Sequence, residues 1–481
     1  MSDAIAPFVN ELWDRSIIPT LSDYVRIPNK SPAFDADWEA HGYMQAAVEL
    51  LRGWCSVPDI EGLTTEIVTI PGRTPVLFCE VPATAPDAGT VLLYGHYDKQ
   101  PEFDGWEPGL GPWEPVLRDG KLYGRGGADD GYALFGSLAA IAALQAEGIP
   151  HGRCVLLIEG CEESGSFDLP AYVELLEERI GQPDLVICLD AECGNYEQLW
   201  TTTSLRGMLP GVLTVKVLSE GQHSGAAGGI VPSSFRILRA LYDRVEDADT
   251  GSLHDCLYVP IPDDARRQLA DVAQVLGATT IDRFPWLDGV TPDGDDLQDL
   301  LLANAWEPSL ATVGLAGAPD VGNAGNTLRP GTSAKLVFRL PPTLDADEAA
   351  RTIKAELERS PPNGAHVRFE LETPQTGWCA PPVAPWLESA LMRASQQYFG
   401  KPAMYMGMGG TIPFMKMLGD SFPGVQFVVT GVLGPRSNAH GPNEFLEIAT
   451  GKRITACVAA VLAEHARRHA RRQARRQARQ N

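Results

Sequence analysis

The chain has 481 residues, 44% of them hydrophobic and 21% charged, with a formal net charge of −23. That length exceeds what one hydrophobic core normally serves and predicts two domains, while the acidic balance excludes a nucleic-acid-binding body. No apolar run is long enough to span a bilayer, and nine cysteines, several inside apolar runs as at Cys154 and Cys188, predict reduced thiols in a cytoplasmic protein rather than a disulfide framework.

The first residues, MSDAIAPFVNELWDRSIIPTL, place apolar side chains at helical spacing among acidic ones. They lack a basic n-region and a continuous apolar stretch, so a helix is expected and a secretory signal is not. From about Leu51 to Glu163 the chain alternates strand-like runs with turns and one long helix, the pattern of an α/β fold. Strands are predicted at VLLYGHYD (91–98), CVLLIEG (154–160) and PDLVICLD (183–190), and a helix over Tyr132–Ala146 that stops at Gly148. Metal-type residues fall at or just past the C-terminal ends of these strands, the edge at which open α/β sheets bind ligands.

After Arg206 the texture changes. GVLTVKVL (211–218), SSFRILRALYDRV (233–245), SAKLVFRL (333–340), DEAARTIKAELERS (347–360) and HVRFELE (366–372) predict strand, helix, strand, helix and strand, a small α+β layer. Residues 247–325 interrupt this with Pro- and Gly-containing sequence that has no clear period. A helix over Trp386–Tyr398 and a strand at VQFVVTGV (425–432) follow. The economical organisation is one α/β domain made of 1–206 and 376–481, with an α+β domain inserted at 207–375. Residues 465–481, HARRHARRQARRQARQN, predict a solvated basic tail, because like charges at helical spacing repel. A contact with an anionic surface or nucleic acid is the alternative for that tail.

Chemistry concentrates in short motifs. In Gly95-His96-Tyr97-Asp98, residues two apart on a strand share a side, so Asp98 is placed to accept a proton from one imidazole nitrogen of His96 and leave the other free for a metal. GRGGADDG (124–131) sets two adjacent carboxylates at a helix start, where Asp130 suits capping and Asp129 is free to face metals. Glu162 and Glu163 follow an apolar strand and point in different directions, so one can ligate while the other handles protons. Asp190 closes a hydrophobic strand, where an unpaired charge is costly, and His440 lies in the loop SNAHGPNE. One histidine and one carboxylate per metal plus a shared carboxylate accounts for all five candidate ligands.

In order, GHYD, LYGRGGADD, EGCEESGS, ICLD, GQHSG (221–225), GGTIP (409–413) and NAHGPNE resemble the motifs of zinc di- and carboxypeptidases of the carnosinase and glutamate-carboxypeptidase type. The resemblance implies an α/β catalytic zinc-peptidase domain with an inserted α+β lid that also forms a homodimer. It implies two Zn2+ ions (or Mn2+), one on His96, Asp129 and Asp190 and the other on Asp129, Glu163 and His440, with Asp129 bridging through a cis Asp129–Asp130 peptide. It assigns Asp98 to orient His96, Glu162 as general base to a metal-bridging hydroxide, and His223 as a lid residue reaching the partner's oxyanion. Arg339, with Gly410 and Thr411, is assigned to the substrate carboxylate.

Two departures bear on substrate: Gly131 and Tyr132 stand where the family commonly has Lys-Gly, and no histidine occurs near Trp378–Pro382. The expected activity is hydrolysis of dipeptides or of C-terminal residues of short peptides. An N-acyl-amino-acid amidohydrolase of the same fold is the alternative, although such deacylases tend to carry Glu at the position of Asp190. A catalytically silent metal-binding scaffold is more remote, since it has no chemical need for Glu162.

Overall fold

A computed structural model gives the fold and describes residues 4–480, the side chains of Pro413 and of 472–480 excepted. Six strands make the central sheet, in the order Thr64–Val68, Val76–Val81, Arg153–Glu159, Thr90–His96, Leu185–Cys188 and Gln426–Val429. The last four run parallel, and the first two add antiparallel at one edge. Parallel strands covered on both faces read as continuous apolar runs, and Val91, Leu92, Leu93 and Tyr94 are all buried.

One face of this sheet packs under helices Ile5–Leu12, Ala133–Ala146, Pro385–Tyr398 and the first half of Ile448–Gln480. Helix Ala133–Ala146 is buried on every side from Ala133 to Leu144, and its run of small residues lets neighbours approach closely. The other face is covered by Leu169–Leu175, Pro413–Ser421 and a three-stranded sheet whose central strand is Trp200–Leu205, flanked by Trp378–Cys379 and Met404–Met408.

Past Arg206 the chain enters a separate antiparallel sheet, ordered Ser309–Ala316, Gly331–Leu340, Gly207–Lys216 and His366–Leu371. Helices Ser234–Tyr242 and Ala346–Glu358 cover one side of it around Leu213, Phe338, Ile353 and Phe369. Ser233 and Asp345 cap them by accepting from the N–H groups of Arg236 and Glu348.

The patternless stretch 247–325 contains helices Asp263–Leu276 and Leu297–Trp306 besides the edge strand. Those two helices pack on each other and on Met404–Met408 rather than on the four-stranded sheet. Each buries only three side chains, Ala265, Leu269 and Val272 in the first and Leu302, Ala305 and Trp306 in the second.

The expected solvated tail starts differently from its prediction. The last helix runs unbroken from Ile448 to Gln480, and His465 is fully buried. Paired arginines further along, in 472–481, lie outside the residues whose side chains are described. No described helix is long and apolar enough to cross a membrane. All nine cysteines are free and seven are buried.

Candidate active site and metal centre

The C-terminal edge of the central sheet gathers the charged motifs. His96 ends its strand with its side chain fully buried. Its Nδ1 lies 3.3 Å from Asp98 Oδ1 and 3.2 Å from the Asp98 backbone oxygen, which leaves Nε2 facing Asp129 Oδ1 at 3.3 Å and Asp190 Oδ2 at 3.7 Å. Asp98 has a further duty. Its two carboxylate oxygens accept the N–H groups of Glu162 (3.1 Å) and Glu163 (3.0 Å), so one side chain fixes both the histidine and the glutamate pair.

The Asp129–Asp130 peptide is cis. Asp130 does not cap the following helix, contrary to expectation; it is fully buried, and its Oδ2 accepts the backbone N–H of His96 at 3.4 Å. The carboxylate of Asp129 splits its oxygens between two histidines: Oδ1 faces His96, and Oδ2 lies 3.0 Å from His440 Nε2. The same nitrogen is 3.2 Å from Glu163 Oε2, to which Gln100 donates at 2.6 Å.

His440 stands at the mouth of the site with about half its side chain exposed (53%). Its loop takes left-handed backbone at Asn438 (φ 55°), His440 (φ 62°) and Asn443 (φ 62°), values that asparagine tolerates better than most residues. Arg125 and Glu444 hold this loop against the glycine-rich segment that carries Asp129. Their buried side chains pair at 2.6 Å, Arg125 donates to the Gly441 carbonyl at 2.7 Å, and Glu444 accepts from Gly126 N–H at 2.9 Å. Sequence reasoning passed over both residues, although opposite charges inside two of the quoted motifs were the available signal.

Two donor trios therefore share Asp129: His96, Asp129 and Asp190, and Asp129, Glu163 and His440, each with its donor atoms within 4.8 Å of one another. Burial pushes Asp190 up to about 7 and, with Asp190 beside it, pushes Glu162 well above the usual carboxylate range. Burial also opposes ionisation of Asp129, but His440 and His96 outweigh it and hold that carboxyl below its usual range. Burial likewise opposes charge on His440, yet Glu163 and Asp129 drive it up to about 12.

Six carboxylates (Asp98, Asp129, Asp130, Glu162, Glu163 and Asp190) face only two imidazoles. With every carboxylate ionised, protonating both imidazoles still leaves four negative charges in a largely buried space, so the site needs cations or, without them, takes up protons, as the raised Asp190 and Glu162 do. Oxygen and imidazole donors in two overlapping trios fit a pair of divalent cations on both charge and ligand type.

A cavity of about 620 Å³ opens over these groups, lined by Asp129, Glu162, Glu163, Asp190 and His440 on one side and by Met208, Arg339, Gly410 and Thr411 on the other. Arg339 projects from the four-stranded sheet and donates to Thr411 Oγ1 at 3.2 Å, which in turn donates to the Arg206 backbone oxygen at 2.6 Å. Among the described residues no carboxylate pairs with Arg339, and burial lowers its proton affinity.

Arg206, another residue that sequence reasoning missed, ties the 409–411 loop to the inserted segment by donating to Gly409 O, Glu307 O and Ser309 Oγ. Burial, with Arg339 nearby, lowers it to about 10. His223 is not brought to this cavity: it is exposed, and its Nδ1 accepts from Gly225 N–H. A second recess of about 490 Å³ beside Trp378 and Phe427 gathers no histidine with its acids.

Residues 92–464 match peptidase family M20/M25/M40. The Cysteinylglycine-S-conjugate dipeptidase of Corynebacterium striatum is 26% identical over 395 residues, which cover 79% of this chain and 82% of that protein. The Beta-Ala-His dipeptidase of Homo sapiens is 26% identical over 368 residues, covering 71% and 68%. Solved structures of the di-peptidase Dug1p from Saccharomyces cerevisiae (TM-score 0.78, 22% identity) and of human carnosine dipeptidase 1 (TM-score 0.76, 24% identity) share the mixed α/β fold, each covering 96% of this chain and 98% of its own. With a matched segment that contains every residue of both donor trios, the chain belongs to peptidase family M20/M25/M40 and is a metallo-exopeptidase.

Proposed function

We propose that the protein hydrolyses dipeptides, or removes C-terminal residues from short peptides, with Glu162 as general base beside two divalent cations shared through Asp129. The observation that carries this is one cavity lined by Asp129, Asp190, Glu163 and His440, with buried His96 behind Asp129, Glu162 on the same wall, and on the opposite wall Arg339, which pairs with no carboxylate among the described residues. The dipeptidase names of the two relatives support the substrate class. Nine free cysteines, mostly buried, fit a cytoplasmic enzyme.

His96, Asp129 and Asp190 would hold one cation and Asp129, Glu163 and His440 the other, zinc or manganese. Such ions supply Lewis acidity toward the scissile carbonyl and lower the proton affinity of water. Glu162 takes a proton from the attacking water as its oxygen bonds to the carbonyl carbon, and delivers that proton to the amine nitrogen as the C–N bond breaks. Asp98 keeps Glu162 in place through the backbone N–H it accepts.

Arg339, steadied by Thr411, receives the substrate carboxylate through two parallel charge-assisted hydrogen bonds and so positions the carbonyl. Residues 207–375 act as a lid and dimerisation unit, and the partner subunit's His223 donates to the developing oxyanion.

The test is a screen of dipeptides, tripeptides, C-terminal amides and N-acyl amino acids with zinc- or manganese-loaded enzyme. Dipeptides should exceed their amides by about 10–100-fold in kcat/KM, the worth of a charge-assisted pair, and Arg339→Ala should narrow that gap. Equal turnover of acid and amide removes the carboxylate clamp, and a preference for N-acyl amino acids replaces the peptidase assignment with an amidohydrolase. For the lid, mixing inactive His223→Ala with inactive Glu162→Ala subunits should restore activity through hybrid dimers. No recovery after demonstrated subunit exchange rules out the donation in trans.

A further inference from the structure

The opposite edge of the central sheet carries a second histidine–carboxylate cluster. Asp184 immediately precedes the strand Leu185–Cys188, and its backbone is woven into the sheet, donating to Thr90 O and accepting from Gln426 N–H. His465 and His469 sit four residues apart on the C-terminal helix, hence on one face. Both present Nε2 to the same carboxylate, His465 to Oδ1 and His469 to Oδ2 at 2.5 Å. One donor atom from each of the three residues lies within 4.8 Å of the others. A seven-residue strand ending at His96 separates this edge from the catalytic one, about 20 Å at roughly 3.3 Å per residue.

The surroundings close tightly over these imidazoles. A side chain at Gly89 would meet His469 Nε2 at 2.7 Å and His465 Cε1 at 2.8 Å, so only glycine leaves the rings their place. His465 is fully buried, and the Nε2 atoms of both rings face Asp184, His469 from a side chain that is 18% exposed. Two ring nitrogens and a carboxylate oxygen converging on one point are the donor set of a metal site.

In the metal-free chain two neutral imidazoles, each carrying its proton on Nε2, can donate to the two oxygens of Asp184, with the rings 4.9 Å apart. Loss of those two protons turns both Nε2 atoms into ligands beside an ionised carboxylate. A divalent cation among the three donors serves all of them at once, and two imidazoles with one carboxylate are the ligands zinc favours, water completing four-coordination.

We propose that Asp184, His465 and His469 bind a divalent transition-metal ion, zinc being the best match, as a clamp that fixes the C-terminal helix to the N-terminal edge of the sheet. Position gives the clamp its purpose. Ala463 and Ala466 are still buried, whereas Arg467, Ala470 and Arg471 are exposed, so the site pins the last turn before the helix leaves the body.

The test uses full-length protein stripped with a chelator, reloaded with zinc and freed of unbound ion, then analysed for zinc per chain. Native protein should hold one equivalent more than His469→Gln or Asp184→Asn, with kcat/KM of both variants within about twofold of native because the sites are distant. Equal zinc content in native and variant chains overturns the proposal, whatever the catalytic site holds. A measurement on the native chain covers variants that fail to fold. Carbethoxylation of His469, followed by peptide mass analysis, should slow about tenfold in zinc at about ten times its dissociation constant. An unchanged rate contradicts the clamp.

Discussion

The two ends of the central sheet solve the problem of buried charge differently. At the C-terminal edge, six carboxylates crowd two histidines, and the excess negative charge calls for cations or, in their absence, for protons on groups such as Asp190 and Glu162. At the N-terminal edge one carboxylate meets two histidines, a set much closer to neutral, whose remaining need is for a shared partner rather than for charge. The first arrangement is suited to strongly held cations with reactive carboxylates beside them. The second is suited to one ion in a mechanical role, since all three of its described acid and imidazole groups serve as donors and none is left over as a base.

Breaking the shared carboxylate separates the two edges most sharply. Asp129→Ala removes a donor from both catalytic trios, so turnover should fall below detection and the catalytic cations should be lost together, while the Asp184 cluster keeps its ion. Elemental analysis beside a dipeptide assay reads both effects. Loss of just one catalytic cation with partial activity means that Asp129 is not shared.

Metal removal gives a smaller, pH-dependent effect. In the metal-free chain Asp190 is raised to about 7, above the unfolded value of about 3.9, so the native state binds more protons in that interval and stability falls as pH rises through it. His440, raised to about 12, contributes stability that is full below about 6.5 and is lost as pH climbs towards its folded value. Both slopes have the same sign, so Tm of the metal-free protein should drop by a few kelvin between about pH 5 and pH 9. Cation loading should flatten that dependence. A metal-free Tm that rises over the range breaks the charge account.

How legible all this was in the sequence varied with how local the signal was. The parallel strands announced themselves as apolar runs ending in His96 or Asp190, because a strand buried on both faces has nothing polar to interrupt it. The residues that converge on the cavity stood out because charge at the end of such a run is anomalous. Helix Leu297–Trp306 was hidden, since its apolar residues are spread around it, whereas Asp263–Leu276 gathers Ala265, Leu269 and Val272 on one face, a signal that sequence reasoning missed.

Supporting contacts were harder still. Arg125 and Glu444 lie 319 positions apart, and nothing local says that they meet. Asp130 shows the opposite error: its position at a helix start suggested a cap, but tertiary structure turns it onto the His96 backbone. His465 and His469 were read as part of an arginine-rich tail, because their partner Asp184 belongs to a strand edge far away in the chain.

The most direct test of the central claim is Glu162→Gln, which keeps the shape of the side chain and removes its capacity to accept a proton. Glu162 belongs to neither donor trio, so the variant should retain the full metal content of native enzyme while kcat for a dipeptide falls by about 10²–10⁴-fold. A variant that keeps near-native kcat, or one whose activity falls only because a cation has been lost, contradicts the assignment of Glu162 as the base beside a shared two-cation site.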